Sequence, residues 1–220
     1  MSRRPSPDAA TGAGIDVGGD RLHVVVLDDR RRVRDAWVAA GSGCSAVVER
    51  LRASGVARVA VDAPDAPSTG AHHADGGLSP KFRLARCGEV ALGREHRVWV
   101  AWATPRAAPF AAWMQTGFEL HRRARDAGLE SVEVYPHAAF QTLAGGRRLP
   151  TKTSPAGVRA RVDVLSAAGV DGPRFLEMWS HDALDAAVAA LVAIDSDAIP
   201  VSCGHDGSAI WLPSGPATVR

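Results

Sequence analysis

The stretch GIDVGGDRLHVVVLDDRRRVRDAWV, residues 14–38, holds three apolar runs separated by breaks rich in glycine and aspartate. Glycine reaches backbone angles closed to other residues, and aspartate bonds its own backbone two residues on, so both breaks read as turns. The runs between them are rich in Val, Ile and Leu and too short for helices. Three strands joined by short turns make an antiparallel meander.

Outward from it the pattern changes. CSAVVERLRASG (44–55) sets Val47, Val48 and Leu51 at helical spacing, with Ser45 to start the helix and Gly55 to stop it. VARVAVDAP (56–64) is a short apolar strand that ends at Asp62. Residues from about 65 to 104 follow no clean period and form a long excursion, the kind of segment that carries function in compact domains. Within it VWVAWA (98–103) predicts a strand of its own. A helix over about 110–127 follows, then a strand in LESVEVYP (129–136) and a short helix in PHAAFQTLAGG (136–146) with Pro136 in its first turn. Ser154-Pro155 opens a helix that turns Val158, Val162 and Leu165 inward. SHDALDAAVAALVAIDSD (180–197) has nine consecutive apolar residues from Ala186 to Ile194, a helix buried on nearly every side. GSAIWLP (207–213) predicts either a returning strand or a homodimer contact.

Meander strands followed by strands alternating with helices predict an α/β fold. The sheet is mixed and five-stranded or larger, three antiparallel strands and then parallel ones, with helices on both faces. One domain spans 14–220, and residues 1–13 read as a disordered tail.

A net charge of +2 selects no partner class, and the basic clusters at 30–34, 122–123 and 147–148 read as solvated faces or nucleic-acid contacts. Cys44, Cys87 and Cys203 are odd in number, far apart and without a CxxC pair. That spacing predicts neither a disulfide nor a zinc site and suggests a reducing compartment. With no signal-like or membrane-length apolar run, the expected location is cytoplasmic, with no membrane partner.

The carboxylates are less ordinary. Asp16 lies inside the first strand, Asp62 ends the fourth, and Glu133 stands in the middle of a strand expected to be buried on both faces. Asp182 and Asp185 stand three apart, on one face, at the entrance of the last helix. Each has a plain structural role open to it: turns for Asp16 and Asp62, an ion pair with Arg159 or Arg161 for Glu133, a cap and a dipole partner for Asp182 and Asp185. Together they are harder to explain that way, because ligands of open α/β sheets bind at the C-terminal strand ends, where these acids can converge. Hard oxygen donors suit Mg2+ or Mn2+ better than zinc. Two such ions about 3.5–4 Å apart clamp the attacking and leaving oxygens of a phosphoryl displacement.

GIDVGGDRLHVVVLD, VAVDAP, RCGEVAL with ATP at 103–105, VEVYPHAAF, LPTKTSPAGVRARVDVL and HDALDAAVAALVA stand here in a known order. From about Gly14 to Ala198 they resemble the predicted nucleases of ribonuclease-H-like fold grouped as domain-of-unknown-function family 429. The resemblance implies that fold, hydrolysis of phosphodiester bonds with two Mg2+ or Mn2+ ions, and a nucleic-acid substrate, DNA or RNA. By position it assigns Asp16, Asp62, Glu133 and Asp185 as catalytic metal ligands, with Asp182 and His181 as helix cap or outer support. Lys152 takes the family's lysine position, a candidate to steady phosphate charge. Arg86 and Glu89 of RCGE, and Arg159, stand as candidate substrate contacts. His181 and His137 are candidate proton carriers.

Other features have plainer readings. His72-His73 with Asp75 lacks a third firm metal ligand and reads as a polar loop. The six tryptophans, Trp179 among them, read as bulk for core and interfaces, with Trp99 and Trp102 the candidates for exposure. Two rival functions remain. One is a single-lobed relative of the actin and sugar-kinase ATPases, with Gly18-Gly19 as a phosphate hairpin but no second hairpin or lobe. The other is a catalytically silent scaffold of the same fold.

Overall fold

The structure, a computed structural model, describes residues 11–171 and 180–215. Residues 1–10 of the expected tail and Trp179 lie outside the described residues. Thr11–Ala13, also assigned to the tail, instead begin the first strand, and Ala13 is fully buried.

The meander forms as expected: β1 (Thr11–Val17), β2 (Arg21–Asp28) and β3 (Val33–Ala40) pair antiparallel in sequence order. Gly18 N–H donates to the Arg21 carbonyl across the first turn at 2.9 Å. α1 (Cys44–Ala53) crosses to β4 (Val56–Asp62), which runs parallel to β1, and β5 (Glu130–Val134) runs parallel to β4. The sheet order is β3-β2-β1-β4-β5-β7-β6. Its first five strands, with β2 antiparallel, have the ribonuclease-H-like arrangement. Of the C-terminal segment, β7 (Ile210–Leu212) lies parallel to β5 and pairs with β6 (Ile199–Val201), so GSAIWLP contributes a returning strand.

Helices cover both faces. α1 and α3 (Ala112–Asp126) pack on Ala13, Ile15, Val24, Val26, Val59 and Val61. The opposite face takes α6 (His181–Ile194), whose residues from Leu184 to Ala193 are all buried. α4 (Pro136–Leu143) and α5 (Pro155–Ala167) pack over it, which explains a helix apolar on all sides. Burying Leu184, Val188, Leu191 and Val192 contributes about 1.5–3 kcal/mol each. Glycine sets how close α6 comes: a Cβ on Gly14 would overlap the Ala186 carbonyl oxygen and the Ala190 nitrogen. The helix therefore lies on the β1 backbone itself.

The excursion is ordered and contains two elements the sequence did not disclose, a 3₁₀ turn (Phe82–Leu84) and α2 (Cys87–Glu95). VWVAWA forms no strand. Val98 and Val100 point into an apolar cluster with Leu92 and Leu212, but no sheet edge pairs with them. Trp99 packs on Phe82, ring centroids 4.4 Å apart, and Trp102 is exposed. Cys87 and Cys203 are joined by a disulfide, which overturns the reading that cysteine spacing excludes one and removes its argument for a reducing compartment. No helix among the described residues is long and apolar enough to cross a membrane.

Candidate active site

β1 and β4 lie side by side in register, Asp16 opposite Asp62. Registered residues of neighbouring strands point to the same face, here the α6 face. Asp185, in the second turn of α6, comes down on them because Gly14 lets that helix settle. One carboxylate oxygen from each of Asp16, Asp62 and Asp185 lies within 4.8 Å of the other two. Among the described residues no backbone N–H, hydroxyl or guanidinium donates to Asp16 or Asp62. Asp185 accepts one bond, from Lys152 Nζ at 2.7 Å.

The electrostatic consequence follows directly. Burial, then the charges of Asp16 and Asp185, raise the Asp62 carboxyl well above its ordinary range. Burial also raises Asp185, against the pull of Lys152. Burial works against the Lys152 charge, yet Asp185, with Asp16 and Asp62 beyond it, keeps the ammonium above its usual pKa. An uncompensated group of this kind favours protons or a cation.

Two groups flank the three acids. His23 stands opposite Asp16 in the antiparallel register, with Nδ1 3.7 Å from Asp16 Oδ2. Asp16 raises its pKa against burial, with help from Asp182. On the other side opens a cavity of about 660 Å3 lined by Asp62, Asp185, Lys152, Arg148, Arg161 and His137. Arg161 is buried there, its Nη1 donating to the carbonyls of Pro150 (3.1 Å) and Gly157 (3.0 Å), while its Nε has no partner. Burial, then Arg161, Arg148 and Lys152, lowers the His137 pKa.

A model of the family described as "Protein of unknown function (DUF429)" matches residues 14–204. The chain belongs to this family. No curated protein matches it. Two solved structures of Thermus thermophilus RuvC, one in complex with a Holliday junction substrate, align with 82% of this chain and 90% of their own. Their identities are 15% and 16% and their TM-scores 0.43 and 0.42.

Several residues of the family pattern lie elsewhere than expected. Glu133 does not join the acid group. It is in register with Val61, one residue before Asp62, so strand alternation turns it to the α3 face. There Arg86 Nη2 donates to Glu133 Oε1 at 2.5 Å and Nη1 to Oε2 at 2.6 Å. The arginine partner is thus Arg86, not Arg159 or Arg161. Arg86 and Glu89 are not placed to touch substrate at the acid group, being held on the opposite face against Glu133 and each other. Glu89 accepts from the Arg86 backbone, Arg86 Nη2, and both the backbone and hydroxyl of Thr104. Arg159 is exposed on α5, and Arg161 lines the cavity in its place. Asp182 is not the cap of α6: Ser180 accepts from Ala183 N–H at 3.2 Å. Asp182 sits in the first turn, where the helix dipole favours its charge, 2.6 Å from His181 Nδ1.

The sequence reading missed His23 and Arg161 as cleft residues. His23 had a signal, since a meander closed at Gly18-Gly19 puts it across from Asp16. Arg161 had none, because only the fold brings that turn of α5 to the cavity.

Proposed function

We infer that this protein is a divalent-metal-dependent nuclease that hydrolyses phosphodiester bonds at the Asp16–Asp62–Asp185 cleft. One observation carries the reading. Three carboxylates from three elements converge within 4.8 Å, and among the described residues the only protein cation donating to them is the Lys152 ammonium. Two of the three hold protons above the usual carboxylate range. The donor set is all oxygen, with Lys152 the one group among the described residues that donates to it, which fits Mg2+ or Mn2+, and Asp16, Asp62 and Asp185 would hold the ion or ion pair. Bound there, such ions supply water activated near neutral pH and stabilise the oxygen that departs from phosphorus.

The chain's own residues do the rest. Arg161 and Arg148 give the cavity a basic wall beside the acids, suited to the non-bridging oxygens of a phosphodiester. Lys152, bonded to Asp185 at the cavity wall, would offset phosphate charge there. His23, its pKa raised by Asp16, would hand a proton to the departing oxygen. The substrate is a nucleic acid.

Calorimetry with Mn2+ on the wild type and on Asp16→Asn combined with Asp185→Asn tests the site. The double variant is expected to lose the binding heat. Its cleavage of labelled DNA, RNA and junctions should fall by more than the roughly 10–100-fold that follows loss of an outer-shell partner. Without metal it should melt no lower than the wild type, because like charges have been removed. Manganese binding that survives both substitutions would refute this cleft as the metal site. Turnover of ATP without nucleic-acid cleavage would favour the kinase-like reading.

A further inference from the structure

Away from the carboxylate cleft, the excursion and the segment after β6 bring together three residues of a different chemistry. Cys87, the first residue of α2, is fully buried and bonded to Cys203. His72, dismissed above for want of a third partner, is buried beside them with Nε2 3.5 Å from Cys203 Sγ. One ligand atom from each of the three lies within 4.8 Å of the other two. The His72 ring makes no other hydrogen bond among the described residues.

We propose that reduction of the Cys87–Cys203 disulfide opens a binding site for a zinc-type divalent cation, held by the two thiolates and the His72 imidazole. A disulfide alone calls for no buried imidazole at its side, whereas two thiolates and an imidazole are the ligands that borderline-soft Zn2+ takes. With Zn–S bonds of about 2.3 Å and Zn–N bonds of about 2.0–2.1 Å, a tetrahedral ion sets its S–N edge near about 3.5 Å and its S–S edge near about 3.8 Å. His72 and Cys203 already stand at the first of these separations. The second is within reach of two side chains whose Cα atoms are 5.1 Å apart. Cys87 occupies a helix N-terminus, where the macrodipole favours a thiolate. Asp206 Oδ2 accepts from the Cys87 backbone N–H at 2.9 Å, fixing that residue from behind. Water takes the fourth position.

The chemistry balances. A phosphine or dithiol reductant supplies two electrons, and two protons complete the conversion of the disulfide to two thiols. The phosphine leaves as its oxide, with oxygen from water, or the dithiol as a disulfide. Binding of the cation then releases both thiol protons to solvent. Disulfide and metal are thus alternative clasps between the excursion and the C-terminal segment, and the same excursion carries Arg86 and Glu89.

The test uses the full chain, reduced with a phosphine, and Co2+ as a spectroscopic stand-in for zinc. The reduced chain is expected to show thiolate-to-cobalt charge-transfer absorption that saturates at one ion per chain and is displaced by Zn2+. The oxidised chain shows none. Cys203→Ser and His72→Asn should each weaken binding about tenfold or more. His72→Asn keeps both thiols and serves even where a cysteine variant does not fold. Cys44→Ala, and Asp16→Asn combined with Asp185→Asn, should leave the band intact, which separates this site from the carboxylate cleft. Absence of the band in the reduced wild type, or full affinity in His72→Asn, would overturn the proposal.

Discussion

Two groups of three acids lie at the same end of the sheet on opposite faces, and among the described residues one side-chain cation donates hydrogen bonds to each. On the α6 face Asp16, Asp62 and Asp185 share Lys152. On the α3 face Glu133, Glu89 and Asp65 share Arg86, whose guanidinium reaches all three. The difference is in the remaining donors. Glu89 is closed by the Thr104 backbone and hydroxyl and the Arg86 backbone, and Glu133 by Asp65 N–H as well as the guanidinium. His121, from α3, fixes the turn after Asp62. Its Nε2 donates to the Ala63 carbonyl at 3.1 Å, and its Nδ1 accepts from the Ser131 hydroxyl at 2.8 Å. The acids of the α3-face group are thus closed by donors, although Arg86 Nε has no partner among the described residues. The α6-face group has the same charges but lacks the donors, and a missing donor set is what a cation supplies.

The sharpest way to break this contrast is to remove the cation from the finished side. Arg86→Met leaves Glu133 and Glu89 buried without their partner, and chemical denaturation should register a loss of about 3–5 kcal/mol. Adding Glu133→Gln should recover part of it. A loss below about 1 kcal/mol would mean that backbone and hydroxyl donors alone satisfy these acids.

His121 gives a second measure, through pH. Burial pushes its pKa down to about 4, so it stays neutral in the folded chain while the unfolded chain binds a proton below about 6.5. The unfolded state then holds more protons, so stability falls as pH falls. The contribution is fully present above about 6.5 and lost as pH drops towards 4, worth about 3 kcal/mol. Asp62 and Asp185 act in the opposite sense: their folded pKa values are raised, so their contribution declines as pH rises. Subtracting the profile of His121→Gln isolates the histidine. Parallel profiles for the two proteins would rule out a buried neutral imidazole.

How much of this was legible beforehand depended on whether a feature is local. The meander was readable because Gly18-Gly19 and the aspartates mark its turns, and α6 because nine apolar residues admit few other readings. Asp16, inside the first strand, and Asp62, at the end of the fourth, were readable as acids able to converge at the C-terminal strand ends, where they do meet. Glu133 does not join them, since its face depends on the register of β5 against β4, and a one-residue offset turns a side chain to the other side. α2 was hidden in a segment without a clean period, where Gly88 and Gly93 do not favour a helix. The structure uses them for contact: a Cβ at Gly93 would overlap the Trp99 ring, and one at Gly88 would crowd Ala209. The disulfide joins residues 116 apart, beyond any spacing rule.

The smallest expected effect concerns Lys152, the cation that bonds the unfinished group. Lys152 has 43% of its side chain exposed, so its bond to Asp185 stabilises the fold little, and Lys152→Gln should change the metal-free unfolding free energy by less than about 1 kcal/mol. Metal binding is more informative. Loss of the ammonium removes a positive charge that repels Mn2+, but it also raises the Asp185 pKa further, so at low pH the metal must displace a more tightly held proton. A divalent ion feels the missing charge about twice as strongly as the proton does, so affinity should rise. The gain should be roughly fivefold at alkaline pH, about 1 kcal/mol, and shrink as pH falls and protons compete. Calorimetric Mn2+ titrations at two pH values check this. Lower affinity in Lys152→Gln at alkaline pH would mean that the lysine builds the cation site instead of opposing it, and the contrast between the two faces would lose its electrostatic basis.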